Sequence, residues 1–280
     1  MKKFLLLAVI SVFALAASAD SWESGLSICG NKVTSANVDD LNALTKGQVM
    51  AGTMSYDNET GILTLNELAM DRTDAAYVFF RFDKTTDRRE YYIKVNGHCI
   101  FDNQGIKAKS LFYASEGVTL IFDGVHNDPA EDEIDLYTGN GINGDKDATI
   151  RVKNLTIEHN EIIFSFGGNG SSYLMSEMTF INCNVTAEDE SGIFEYIKSF
   201  KLINCAFVTP ADATFNSEKH YVESEGVRLQ HVPVEIKAQK TAIDNVQQPA
   251  QITNHKSLQD GVLYIQRGDE LFNAQGARVK

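Results

Sequence analysis

The chain has 280 residues, enough for one large domain or two small ones, and its 43% hydrophobic content excludes wholesale disorder. Twenty-five Lys and Arg stand against 38 Asp and Glu, a formal charge of −13. That balance argues against a nucleic-acid partner, because phosphate binding rests on clustered basic side chains. After residue 20 no run of 18 apolar residues occurs, so no later segment reads as a membrane-spanning helix.

Residues 1–19 read as a secretory signal peptide. Lys2 and Lys3 precede an apolar run from Phe4 to Ala16, and Ala17-Ser18-Ala19 forms a small-x-small cleavage site before Asp20. Removing that segment leaves 23 basic and 38 acidic residues. The expected location is secreted or at the outer cell surface, with the periplasm as an alternative. Four Cys remain, at 29, 99, 183 and 205, with no CxxC pair. In an oxidising compartment they are free to bridge, and buried they act as small apolar residues; both readings stay open.

Residues 20–60 are expected to form an N-terminal cap: a strand from Leu26 to Val33, a short helix from Asn37 to Leu44, and a turn at Asp57–Gly61. Beyond it, helical periodicity is scarce. Short alternating runs such as Ile62-Leu63-Thr64-Leu65 and Val118-Thr119-Leu120-Ile121-Phe122 read as strands.

Within residues 61–236 one template recurs: apolar-x-apolar-x, a turn residue, then apolar-x-apolar. It is centred on Asn154, Asn182 and Asn204, more loosely on Glu67 and His231, and partially on Gly97 and Gly124. The centres lie 22 to 30 residues apart. The apolar positions alone would match by chance about nine times in a chain of this composition; with Asn at the centre the expectation falls to about 0.6, and three occur. Inward parity switches across each centre. A strand alternates faces with period two, so one residue at the centre must turn the chain back toward the same core. Asn and Gly reach left-handed backbone angles at low cost. Strand, one-residue corner and strand, repeated every ~27 residues, describe a coil of a parallel β-helix. The expected fold is therefore all-β: a right-handed parallel β-helix of seven coils, with Asn154, Asn182 and Asn204 as structural corners able to stack as a ladder. Cys183 and Cys205 occupy equivalent template positions, where either an inward stack or a disulfide fits the ~4.8 Å strand spacing.

Residues 237–280 are expected to hold a polar linker and then a tail with a hairpin, Gly261–Ile265 against Glu270–Asn273.

Two stretches carry a resemblance. Leu26 to Asn37, followed by Met54-Ser55-Tyr56-Asp57 and Gly61 to Asn66, resembles the start of a secreted Bacteroidota family loosely described as carbohydrate-binding. Gly261 to Lys280, with Asn273-Ala274-Gln275-Gly276 near its end, is similar to short C-terminal tails of secreted proteins from those bacteria. The resemblance implies a β-helical fold and glycan binding; it supplies no catalytic residues.

Motifs of catalysis are sparse. Asp128–Asp135 is the densest acidic run and reads as a solvated loop. Asn143-Gly144-Asp145-Lys146-Asp147 alternates oxygen donors as calcium loops do, but lacks the closing Glu and carries Lys146. The six His share no metal spacing. Gly139–Gly144 spells GxGxxG without a helix behind it, and Gly167–Gly170 is a turn signal. Arg267-Gly268-Asp269 matches an adhesion tripeptide too short to be specific. The aromatic clusters at residues 77–82 and 91–92 fit core packing better than a sugar-stacking face. No catalytic, cofactor or metal residue is assigned. The expected function is non-catalytic binding of polysaccharide or cell-surface glycan; a polysaccharide lyase or hydrolase, or an adhesive protein without a small ligand, are the alternatives.

Overall fold

A computed structural model describes residues 21–71, 78–102, 110–137, 140–159, 166–168, 172–188, 193–239, 254–259, 262–267 and 270–273. Residues 1–19, expected to be a signal peptide, lie outside the described residues, as do Tyr77, Gly139, Asn169, Gly170, Gly268 and Asp269. Two compact units form, Met1–Gln239 and Lys240–Lys280.

The first unit opens with a hairpin, β1 (Glu23–Ile28) and β2 (Asn31–Thr34), rather than one strand. Cys29 and Gly30 both have positive φ, 48° and 81°, and reverse the chain there. Of the expected helix only a 3-10 turn forms, Leu41–Thr45, capped by Asp40 on the Ala43 amide. Strand β3 (Val49–Asp57) then pairs antiparallel with β4 (Ile62–Asp71).

From β4 the chain winds as a parallel β-helix, an all-β solenoid. Its first coil is β4 and β5 (Phe80–Phe82). Three coils of three strands follow: β6 (Glu90–Asn96), β7 (His98–Asp102) and β8 (Ser110–Ala114); β9 (Thr119–Gly124), β10 (Glu133–Tyr137) and β11 (Asn140–Gly144); β12 (Thr149–Lys153), β13 (Thr156–His159) and β14 (Phe166–Gly168). A smaller coil, β15 (Glu177–Ile181), β16 (Asn184–Ala187) and β17 (Phe194–Glu195), precedes β18 (Phe200–Ile203) and β19 (Cys205–Thr209). Three faces result. The first stacks β4, β6, β9, β12, β15 and β18; the second stacks the latter half of β4 with β7, β10, β13 and β16; the third stacks β5, β8, β11, β14 and β17. All these pairings are parallel and in register.

Register converts alternation into columns. Leu63, Ile93, Phe122, Val152 and Phe180 follow one another up the first face, all fully buried. The third face supplies the rings of Phe80 and Phe112, stacked at 5.0 Å with 12° between planes. Phe112 also meets Phe101 and Phe122 edge-on at 5.3 and 5.0 Å. The aromatic clusters are thus mostly core: Phe79, Phe80, Phe82 and Tyr91 are fully enclosed.

The corners follow from backbone chemistry. Glu67, Asn154, Asn182 and Asn204 have φ of 46°, 53°, 50° and 52°, and Gly97 has 71°. Asn182 donates to Asn154 Oδ1 at 3.0 Å, and Asn154 to Asp123 Oδ1 at 3.2 Å. Gly124 ends its strand where the next coil presses closest: a Cβ there would lie 2.0 Å from the Asn154 carbonyl oxygen. The chain then leaves the coil and returns at Asp132, which is fully buried. Its carboxylate accepts from the Gly97 amide at 2.9 Å and the His126 amide at 2.6 Å. Asp132 is therefore a structural plug, not part of a solvated run.

The coil expected around His231 does not form. His231 has φ 56°, but β20 (Thr214–Asn216), β21 (Tyr221–Ser224) and β22 (Val227–Arg228) pair antiparallel. Strand β23 (Val234–Ala238) then runs antiparallel between β16 and β19. Apolar alternation is blind to strand direction, which is why this segment matches the template. Both ends of the solenoid are finished by antiparallel pairing, since β1 joins β5 antiparallel as well.

The second unit is a three-stranded antiparallel sheet, β24 (Asn254–Gln259), β25 (Val262–Arg267) and β26 (Glu270–Asn273), one strand more than the expected hairpin.

Candidate functional site

A pocket of about 270 Å³ lies where the N-terminal cap meets the first coils, lined by residues of the β1 region, β3, the segment 85–88 and β6. Trp22, Ser24, Tyr56, Asn58, Arg88 and Tyr91 are among its walls, with Glu23 and Asp87. Arg88 is fixed by a tight turn: its amide donates to Thr85 Oγ1 at 3.0 Å, and the Thr85 amide donates to its carbonyl at 2.9 Å. The guanidinium donates from Nη2 to the carbonyls of Asn58 and Glu59, at 2.5 and 2.9 Å, and lies 5.8 Å over the Tyr91 ring. Gly61 makes room for it, because a Cβ at that position would sit 1.9 Å from Nη1.

Tyr91 donates its hydroxyl to the Asp83 carbonyl at 2.7 Å. Burial pushes both phenols, Tyr56 and Tyr91, upward in pKa, so each stays a neutral hydroxyl at physiological pH. Tyr56 Oη and Arg88 Nη1 are both buried in the lining, and the Tyr56 hydroxyl interacts with the Ser24 and Arg88 side chains. Polar side chains gathered at one concave place offer hydrogen bonds that a ligand's own polar groups can share.

A second cluster stands on the second face. The register of β7 and β10 sets His98 opposite Glu133 and Cys99 opposite Ile134. His98 Nε2 lies 2.9 Å from Asp135 Oδ2 and 4.0 Å from Glu133 Oε2. Asp135 is only 6% exposed, and its Oδ1 is buried without a partner. Glu133 is held above its ordinary carboxyl pKa, first by burial, then by the negative Asp135 beside it, against the opposing pull of His98.

The sequence-derived candidates settle elsewhere. Asn154, Asn182 and Asn204 are corners. The calcium-like segment is the end of β11 and the turn that follows it: Asp145 accepts from Tyr113 Oη at 3.1 Å, Asp147 pairs with Lys198 at 2.5 Å, and Asn143 accepts from Ser110 Oγ at 2.9 Å. Asn140–Gly144 of the GxGxxG string is strand β11, and Gly167 and Gly168 belong to β14. All four cysteines are buried; Cys99, Cys183 and Cys205 are free thiols, and Cys29 Sγ donates to Gln48 Oε1 at 3.4 Å. Cys183 and Cys205 donate to equivalent carbonyls of the preceding coil, Val152 at 3.2 Å and Phe180 at 3.4 Å. Burial drives the Cys183 thiol up to about 12 and the Cys99 thiol to about 11, which keeps both protonated and inert.

Neither site is visible as a local motif. Trp22, Tyr56 and Arg88 are far apart in the chain and meet only through the cap's antiparallel pairing. His98 finds Asp135 only because one coil separates them.

Comparison with family models, curated proteins and solved structures finds no match for this chain. Its class is therefore defined by strand order and register: a β-solenoid. Among the described residues no helix is long and apolar enough to cross a membrane.

Proposed function

We propose that this β-solenoid is a non-catalytic protein, exported after cleavage near Ala19, that binds glycans through the pocket beneath its N-terminal cap. The carrying observation is that pocket. It sets the half-buried ring of Trp22 and the hydroxyl of the buried Tyr56 beside a fixed guanidinium, with Ser24 and Asn58 in the same lining. Sugars present apolar ring faces and dense hydroxyls, and that pairing of aromatic surface with polar groups is what binds them. The volume of about 270 Å³ fits one or two sugar rings rather than a long buried chain, so a polymer would enter by its end or by a side branch.

Glycan arrays probed with the chain beginning at Asp20 should give hits. Calorimetry on a hit should show Trp22→Ala and Arg88→Ala each weakening affinity ~10-fold or more, the scale of a truncated hot-spot contact. No hit, or hits indifferent to both variants in chains whose circular dichroism is unchanged, overturns the reading. Mass spectrometry of the exported chain checks the cleavage point.

A further inference from the structure

The cluster on the second face has no part in the glycan reading. We propose that His98, Glu133 and Asp135 bind a divalent transition-metal ion, with zinc as the reference ion.

One ligand atom from each of the three residues lies within 4.8 Å of the other two. Bonds of ~2.0–2.2 Å to a central ion set such donors a little over 3 Å apart, so the three atoms would draw closer together to hold one. An imidazole nitrogen with two carboxylates suits zinc or manganese better than calcium or magnesium, which favour oxygen alone. The second and independent observation is Asp135 Oδ1. Oδ2 of the same carboxylate accepts from His98 and, at 3.5 Å, from Tyr137, whereas Oδ1 is buried with nothing to accept from. An orphaned anionic oxygen inside a protein costs free energy, and a cation removes that cost.

Access and support are both present. The His98 side chain is half exposed, which leaves an approach from solvent and room for water to fill the remaining coordination positions. Asp135 is anchored on β10 in mid-sheet between β7 and β13, next to Glu158 in register, and is pre-positioned by that pairing. An ion here would tie β7 to β10 and so fasten two successive coils together on one face.

The test uses tag-free protein stripped with EDTA. Titration calorimetry with zinc chloride should give one site per chain, with manganese also bound and calcium at least ~10-fold weaker. Asp135→Asn and His98→Gln should each weaken zinc binding by ~10-fold or more, while Glu177→Gln, on the first face, should leave it unchanged. Zinc should also raise the melting temperature of the unaltered chain and not that of Asp135→Asn. Should Asp135→Asn fail to fold, His98→Gln decides, since a half-exposed side chain tolerates the change. Absence of zinc heat at millimolar concentration, equal binding by unaltered and His98→Gln chains, or preference for calcium would each overturn the proposal.

Discussion

At the scale of single residues, the solenoid depends on a backbone angle that most side chains resist. Asn154 holds φ at 53° and bridges two coils, donating to Asp123 and accepting from Asn182. Replacing it with Ala removes both bonds and leaves a residue that pays ~1–2 kcal/mol for the left-handed region. Adding a net ~0.5–1.5 kcal/mol for each of the two lost hydrogen bonds, Asn154→Ala should destabilise the first unit by ~2–5 kcal/mol in urea unfolding. Asn154→Gly keeps the angle and loses only the bonds, so it should cost about half as much. Equal losses for the two variants would show that conformation is not what selects Asn there. This logic was readable in advance at Asn154, Asn182 and Asn204, because parity switching and left-handed propensity are local properties. Asp132 was not readable. Its acidic neighbours suggest a solvated run, and only the returning chain reveals that its carboxylate satisfies the Gly97 amide.

At the scale of strands, outward columns carry alternating charge across coils. Asp123 on β9 lies between Lys94 on β6 and Lys153 on β12, at 2.6 and 2.9 Å. Glu177 on β15 accepts from Arg151 at 3.2 Å and also pairs with Lys201. Burial pushes the Asp123 and Glu177 carboxyls upward, but hydrogen bonds from their cationic neighbours outweigh it and hold both below their ordinary values of 3.8 and 4.5. A carboxyl with a lowered folded pKa adds stability above its unfolded pKa, and that stability is lost as pH falls through the folded value. The loss therefore begins near the ordinary carboxyl values and completes below them. The lysines are about one-third exposed, so screening limits the pairs at Asp123 to about 1 kcal/mol together. Asp123→Asn should lower stability at pH 7 by about that amount, and the gap to the unaltered chain should close on acidification in denaturant titrations. A gap that stays constant to pH 3 would remove the charge explanation. Strand positions were legible from alternation, but strand direction was not. Val234–Ala238 shows the same apolar pattern whether it continues the spiral or runs back between β16 and β19.

At the scale of the whole molecule, the stack of parallel strands needs its ends covered, and β23 is one such cover. Its own Val234 and Ile236 are fully buried. Ile236→Asp places a charge in that seam and should unseat the strand, exposing the hydrogen-bonding edges of β16 and β19. Size-exclusion chromatography should then show larger species than the unaltered chain forms, together with increased dye binding to apolar surface. An unchanged elution profile with unchanged melting would mean that β23 covers nothing the stack requires. The pocket and the His98 cluster belong to this scale too, which is why neither was legible as a motif. Each is assembled by the winding itself, from residues that share no sequence neighbourhood.

The in-register winding between two differently built ends has a consequence for how such a chain can change. One full coil is a self-contained module whose lower and upper rims match. Duplicating or excising a stretch such as residues 119–148 would lengthen or shorten the stack by ~4.8 Å while leaving both terminal seals with the partners they recognise. Length in this architecture is thus counted in whole steps, and insertions of partial steps break the column alignment on every face at once.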